Sequence, residues 1–189
     1  MKKTITFATG NAGKLAEAQA LMPHVQLIAQ RVDFAEPRSN DLEVIAREKL
    51  RQARAVIDGP CFVQDSGFYI EALNGFPGSY VNFALETIGM EGILKLMEGK
   101  SDRTCAFCQC LAYFDGHKEH IFTSEHTGLL THAPAGTDSA QQWSALWHIF
   151  IPEGFSVTLS ELTQEQLEMR RQRANGTLKQ LAAFLHVEE

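Results

Sequence analysis

Thr4-Ile5-Thr6-Phe7-Ala8-Thr9-Gly10-Asn11-Ala12-Gly13-Lys14 reads as a short strand that breaks directly into a helix. Thr4 to Ala8 alternates as a strand does, and the apolar spacing that follows is helical. The two glycines let the backbone approach an anion closely, the helix start offers unpaired N–H groups and a positive dipole end, and Lys14 adds a full charge. Thr9, Gly10, Asn11 and Lys14 are therefore candidate phosphate contacts. At the end of a first strand such a loop faces a cleft. The spacing is that of neither a Walker loop nor a dinucleotide fingerprint. A plain strand-to-helix turn, with Asn11 as N-cap and Lys14 in solvent, accounts for the same residues.

Outward from this loop, Lys14 to Met22 continues as helix with Leu15, Ala18, Leu21 and Met22 at helical spacing, closed by Pro23. Val25 to Ala29 is a second strand and Gln30 to Ser39 a polar loop. Asn40, with Glu43 three residues on, is the expected cap of a long helix striped by Leu42, Ile45, Ala46, Leu50, Ala53, Val56 and Ile57. A buried strand, Cys61-Phe62-Val63, then delivers Gln64-Asp65-Ser66-Gly67 at its C-terminal end. A turn at Gly75-Phe76-Pro77-Gly78-Ser79-Tyr80 follows, then one amphipathic segment from Val81 to Glu98. Strands dominate from Thr104 to Leu130, with a turn at Asp115-Gly116. Thr163 caps a last helical region to about Leu185, with Gln166 in the box position and Gly176 as a break. Strands alternating with helices and then running antiparallel indicate an α/β fold with an elongated mixed sheet and flanking helices, two lobes around a central cleft. Residues 1–189 read as one domain.

The chain has 189 residues and a formal net charge of −6, with 44% hydrophobic and 21% charged residues. That charge disfavours wrapping a nucleic acid polymer, which leans on many Lys and Arg contacts to phosphate. One basic pocket for a small anion remains compatible. No apolar run reaches membrane-spanning length, and Met1-Lys2-Lys3-Thr4 leads into strand alternation, so the protein is expected in the cytoplasm. Cys105, Cys108 and Cys110 lie on a strand without a second pair to complete a zinc set, and read as structural thiols; Cys61 reads as core. The run Arg170-Arg171-Gln172-Arg173 is a solvated helix face or the wall of an anion pocket.

Asp65 beside Ser66 and Gly67 can hold Mg²⁺, which neutralises phosphate oxygens and activates water, or can cap a turn through its own backbone. Glu36 is a second carboxylate for that shell. Lys49 flanks the apolar stripe of the long helix, where it adds charge to the site or merely snorkels.

The joint order of these elements resembles the inosine triphosphate pyrophosphatases, which remove non-standard purine nucleotides. The resemblance spans nearly the whole chain and is strongest at Phe7 to Lys14, at Val63 to Gly67 with Ala72 to Tyr80, and at Ile149 to Gly154 with Glu161-Leu162-Thr163. It implies a homodimer, Mg²⁺ dependence and hydrolysis of a nucleoside triphosphate to monophosphate and pyrophosphate. It further implies that Asp65, Lys14 and Lys49 are catalytic and that Thr9, Gly10, Asn11, Lys14, Lys49 and Ser66 hold the phosphates. Glu36 and Asp65 would bind the metal and organise the attacking water, and Arg173 would contact the base.

Ser144-Ala145-Leu146-Trp147-His148 stands where the family reads Phe-Gly-Tyr-Asp-Pro, so the stacking aromatic and the base-reading acid are replaced. Gln64 stands for an acid, Asn82 for a lysine, Leu167 for a lysine, and Arg171-Gln172 for Ser-His. The expectation is a pyrophosphatase with altered base preference; a catalytically impaired nucleotide-binding relative that works through a partner is the alternative. Trp143, Trp147 and Phe150 are expected in the core, with stacking on a different base as their other role.

Overall fold

The computed structural model describes residues 2–139 and 142–187; Met1, Ala140, Gln141, Glu188 and Glu189, all within the expected 1–189 domain, lie outside the described residues. The strands are β1 (Thr4–Ala8), β2 (Gln26–Gln30), β3 (Cys61–Ile70), β4 (Pro77–Gly78), β5 (Thr104–Phe114), β6 (Glu119–Leu130) and β7 (Phe150–Pro152). The α-helices are α1 (Ala12–Leu21), α2 (Leu42–Ala53), α3 (Val81–Thr87), α4 (Gly89–Leu96), α5 (Gln164–Arg173) and α6 (Thr177–Val187). The sheet order is β2-β1-β3-β5-β6-β7, with β4 paired to β3. Parallel pairing of β1 with β2 and β3 and antiparallel pairing of β3 with β4 and β6 with β7 make it the expected mixed sheet. The chain divides into two compact units.

The first unit comprises Met1–Ser66, Gln109–Ser124 and Asn175–Glu189. β1 is flanked by two parallel strands and is buried from Ile5 onward, which is why its threonine-interrupted sequence still reads as core. Ile5, Phe7 and Phe62 form one face of the core with Ala18 and Met22 of the α1 region and Leu178, Leu181 and Leu185 of α6; Phe7 and Phe62 stack at 4.1 Å. Alternation along β3 turns Cys61, Val63 and Asp65 to the opposite face. In the 2-1-3 strand order the chain runs from β1 out to β2 and back across to β3, and the C-terminal end of β1 opens beside the middle of β3, at a switch point of the kind where α/β sheets bind ligands.

α2 buries Leu42, Ile45, Ala46, Lys49, Leu50 and Ala53, a stripe at helical spacing with one lysine inside it. Its N-cap is Asp41 rather than Asn40: Asp41 Oδ1 accepts from the backbone N–H groups of Glu43 at 2.8 Å and Val44 at 3.4 Å. The shift by one residue puts the capping carboxylate directly before Leu42, the first buried position. α2 also ends sooner than the apolar stripe suggested, at Ala53, leaving Val56 exposed.

The second unit comprises Gly67–Cys108 and Glu125–Ala174. Its core joins Phe68, Phe107 and Phe150 with Ile93, Met97, Leu146, Trp147 and Leu162. Trp147 and Phe150 are core as expected, whereas Trp143 is 60% exposed and touches the cluster edge-on through Phe107. Val81 to Glu98 is two helices rather than one segment, because Gly89 at φ +67° starts a new one. Thr163 and Gln166 close the expected capping box on α5, and the break near Gly176 separates α5 from α6. His148 sits between two acceptors, the Ala135 carbonyl at 2.9 Å and Asp138 Oδ1 at 3.0 Å. All four cysteines are free thiols, and burial pushes Cys105 and Cys110 up to about 12, in keeping with a structural role.

Two outcomes follow. Asp41→Ala should cost about 1 kcal/mol in urea unfolding while Asp41→Asn costs a few tenths; equal losses would remove the cap assignment. The Ala135 carbonyl, with Asp138 adding to it, raises the His148 pKa. The stability this contributes is fully present below pH ~6.5 and lost as pH rises through the raised folded value. An NMR titration should place His148 above 6.5, and a midpoint at or below that value would contradict the pairing.

Candidate active site

The switch-point loop is built locally. Thr9 N–H turns back to the Phe7 carbonyl at 2.9 Å, Thr9 Oγ1 accepts from Asn11 N–H at 3.1 Å, and Asn11 Oδ1 accepts from Lys14 N–H at 3.1 Å. Asn11 is thus the N-cap of α1, as its residue type suggested. A Cβ on Gly13 would come within 3.2 Å of that cap oxygen, so glycine keeps the cap open. Gly10, Asn11, Ala12 and Gly13 are exposed and leave the helix start accessible.

Lys14 does not wave in solvent: its Nζ donates to the Gln64 carbonyl at 3.1 Å. Burial pulls its pKa below the ordinary lysine value, Lys49 adds to that, and Asp65 and Glu17 oppose it.

Lys49 joins the two candidate metal carboxylates. Its ammonium donates to Asp65 Oδ1 at 2.7 Å and pairs with Glu36 Oε1 at 2.6 Å, 5.6 Å from the centre of the Phe34 ring. Burial alone would depress Lys49, but Asp65 and Glu36 more than offset it and its pKa is raised. The snorkelling alternative is therefore corrected: Lys49 is buried by its position in the α2 stripe and is paired there. Asp65 is 17% exposed and Glu36 67%. Asp65 Oδ2 is buried without a hydrogen-bond partner among the described residues.

Asp65 is also not at a strand end. β3 continues through Ser66 to Ile70, because Gly67 allows a close pass: a Cβ there would lie 2.8 Å from the Tyr69 ring and 2.9 Å from the Gly78 carbonyl. Asp65 is therefore fixed by strand geometry and not by a turn. Ser66 is half-buried on the next position of the same strand. Arg173 belongs to the second unit, where it ends α5 with an exposed side chain.

The partners of two residues escaped the sequence. Gln52 bonds the Ala35 backbone twice, accepting from its N–H at 2.9 Å and donating to its carbonyl at 2.9 Å, which pins the loop that carries Glu36 onto α2. Its only signal was a place three residues after Lys49. Gln64 donates from Nε2 to Thr177 Oγ1 at 2.9 Å, a partner 113 residues away.

Glu36 and Asp65 offer hard carboxylate oxygens, one of them buried and without a partner among the described residues, and this donor set suits Mg²⁺. Among the described residues no group of three or more His, Cys, Asp or Glu could hold a metal. Magnesium ordinarily takes one or two carboxylates and completes its shell with water and substrate phosphates.

The model of the Ham1 family matches residues 5–184. A relative from Thermococcus kodakarensis described as dITP/XTP pyrophosphatase is 36% identical over 183 residues, covering 96% of each chain. One of the same description from Methanopyrus kandleri is 39% identical over 165 residues, covering 86% of each. The Staphylococcus aureus Ham1 protein has the same fold, with a TM-score of 0.84 at 23% identity over 99% of this chain and 100% of that one. With the fold, the family model and relatives of matching length all in agreement, the chain belongs to the Ham1 family.

Proposed function

We propose that the protein hydrolyses a non-standard, purine-like nucleoside triphosphate to monophosphate and pyrophosphate, with Mg²⁺ as cofactor and an altered base preference. The observation that carries this is the Lys49 ammonium held between Asp65 and Glu36, beside a helix start whose own lysine is seated on the same strand. Relatives described as dITP/XTP pyrophosphatases, matched over 96% and 86% of this chain, support the reaction class. The 1–189 chain would act as one catalytic domain, as a homodimer in the cytoplasm. No helix among the described residues is long and apolar enough to cross a membrane.

In-line attack at the α-phosphorus needs charge neutralised along the phosphate chain more than it needs a strong nucleophile. Thr9, Gly10 and Asn11 would present backbone and side-chain polar groups to the phosphates, with Ser66 adding its hydroxyl and Lys14 its charge. Asp65 and Glu36 would hold Mg²⁺, which when bound supplies charge neutralisation and lowers the pKa of water. Asp65 Oδ2, buried and without a hydrogen-bond partner among the described residues, is the acceptor suited to orienting the attacking water. Lys49 would hold both carboxylates convergent. Arg173 is the residue we assign to base contact.

Altered base preference rests on burial. Trp147, at the position of the family's base-reading acid, is packed in the core of the second unit and is not free to meet a base.

Pyrophosphate release measured with Mg²⁺ over a panel of nucleoside triphosphates, including inosine, xanthosine and modified bases, tests the reaction. Turnover of at least one is expected; none above a Lys14→Ala, Asp65→Asn control would leave only the impaired nucleotide-binding relative.

Lys49→Met leaves Asp65 and Glu36 without their cation and should cost about 3 kcal/mol in urea unfolding, and at a temperature where the variant stays folded kcat should fall by roughly 10²-fold or more. Retained turnover would take Lys49 out of the mechanism.

Lys14 grips phosphate only as a cation. Because its pKa is lowered, kcat/KM should fall on the alkaline side at a pH below the ordinary lysine value of 10.5. Lys14→Arg should move that limb upward, because a guanidinium stays charged; an unmoved limb would assign it to another group.

A further inference from the structure

Gln64 holds the ammonium of Lys14 through its backbone carbonyl, at 3.1 Å, and the same residue is anchored through its side chain to Thr177 Oγ1 at 2.9 Å. Thr177 is fully buried at the start of α6. Its hydroxyl lies 3.5 Å from Gln109 Oε1, and that oxygen is 3.4 Å from Ser124 Oγ. Gln64, Gln109 and Ser124 stand on β3, β5 and β6, consecutive strands of the sheet. A polar row thus crosses three strands of the first unit, and the first residue of the C-terminal helix is hydrogen-bonded into it.

The row is costly unless it is used. Beside it the core is apolar, with Phe62, Leu178 and Leu181 fully or almost fully buried. A buried hydroxyl must find partners, and apolar side chains of similar shape would pack there without that demand. What the polar row adds is one fixed position of β3 against α6, since a shift would orphan a buried donor or acceptor. The backbone held fixed is that of Gln64, whose carbonyl seats Lys14 and whose next residue is Asp65.

We propose that Gln64, Thr177 and Gln109 are positioning residues for the phosphate grip, holding in place the β3 carbonyl on which Lys14 is seated. An acid at position 64 would be drawn to a cation. The amide is instead committed to Thr177, and Gln64 acts from behind the site. This rests on the pyrophosphatase reading for its substrate, and on geometry alone for the anchor.

Thr177→Val keeps the shape of the side chain and removes its hydroxyl, whereas Thr177→Ser keeps the hydroxyl. On the full chain, tripolyphosphate binding is measured by calorimetry, and KM and kcat are measured with the best nucleotide of the panel. Thr177→Val should weaken tripolyphosphate and raise KM about fivefold, the size of one neutral hydrogen bond, with kcat changed by less than about twofold. Thr177→Ser should restore both. Gln64→Met should match Thr177→Val, and the double variant should be no worse than either alone, because both remove the same contact. The proposal is overturned by unchanged tripolyphosphate binding in Thr177→Val, by a serine variant as weak as the valine one, by a double variant in which the losses multiply to about 25-fold, or by a parent chain that binds no tripolyphosphate. A parent that binds tripolyphosphate but releases no pyrophosphate from any nucleotide sinks the pyrophosphatase reading instead, and the tripolyphosphate comparison still decides the anchor.

Discussion

Two carboxylates converge on one buried ammonium: Lys49 lies 2.7 Å from Asp65 and 2.6 Å from Glu36. Like charges brought this close repel unless a cation stands between them, and a cation in a buried stripe is costly unless it is paired. Each side therefore needs the other. The constraint reaches into the fold, because Lys49 must sit on the buried face of α2, Asp65 on the α2 side of β3, and Glu36 on a loop that Gln52 clamps to the same helix. Removing one partner from such a buried pair typically costs about 3 kcal/mol or more.

The parallel sheet supplies the rest of the geometry. β1 and β3 are parallel neighbours with Phe7 opposite Phe62, so the loop after β1 runs beside the Gln64-Asp65 stretch of β3. The Asn11 cap leaves the α1 start accessible to an anion, and Lys14 is seated on the strand that carries Asp65. A helix start, two lysines and two carboxylates are the parts that phosphoryl chemistry asks of a protein.

What was legible in the sequence is what is local. Asn11 caps the residue three positions on, Thr163 and Gln166 close a box across one turn, and Asp115-Gly116 makes its turn with its own neighbours. The mixed sheet followed from the alternation of strands and helices. Non-local partners left no trace. Lys49 and Asp65 are 16 residues apart, and the lysine's place in the apolar stripe was the one hint of burial; Gln64 and Thr177 are 113 apart and had none. β3 outran its expected end because Gly67 is a close-packing position against Gly78 that lets the strand continue. Asp41 took the cap from Asn40 for want of any sequence rule that separates adjacent capping residues.

The central claim is that this constellation directs water to the α-phosphorus. Hydrolysis of the preferred nucleoside triphosphate in ¹⁸O-water, followed by mass spectrometry of the products, tests it most directly. The account predicts one labelled oxygen in the nucleoside monophosphate and an unlabelled pyrophosphate; label in the pyrophosphate, or release of labelled orthophosphate, would contradict it.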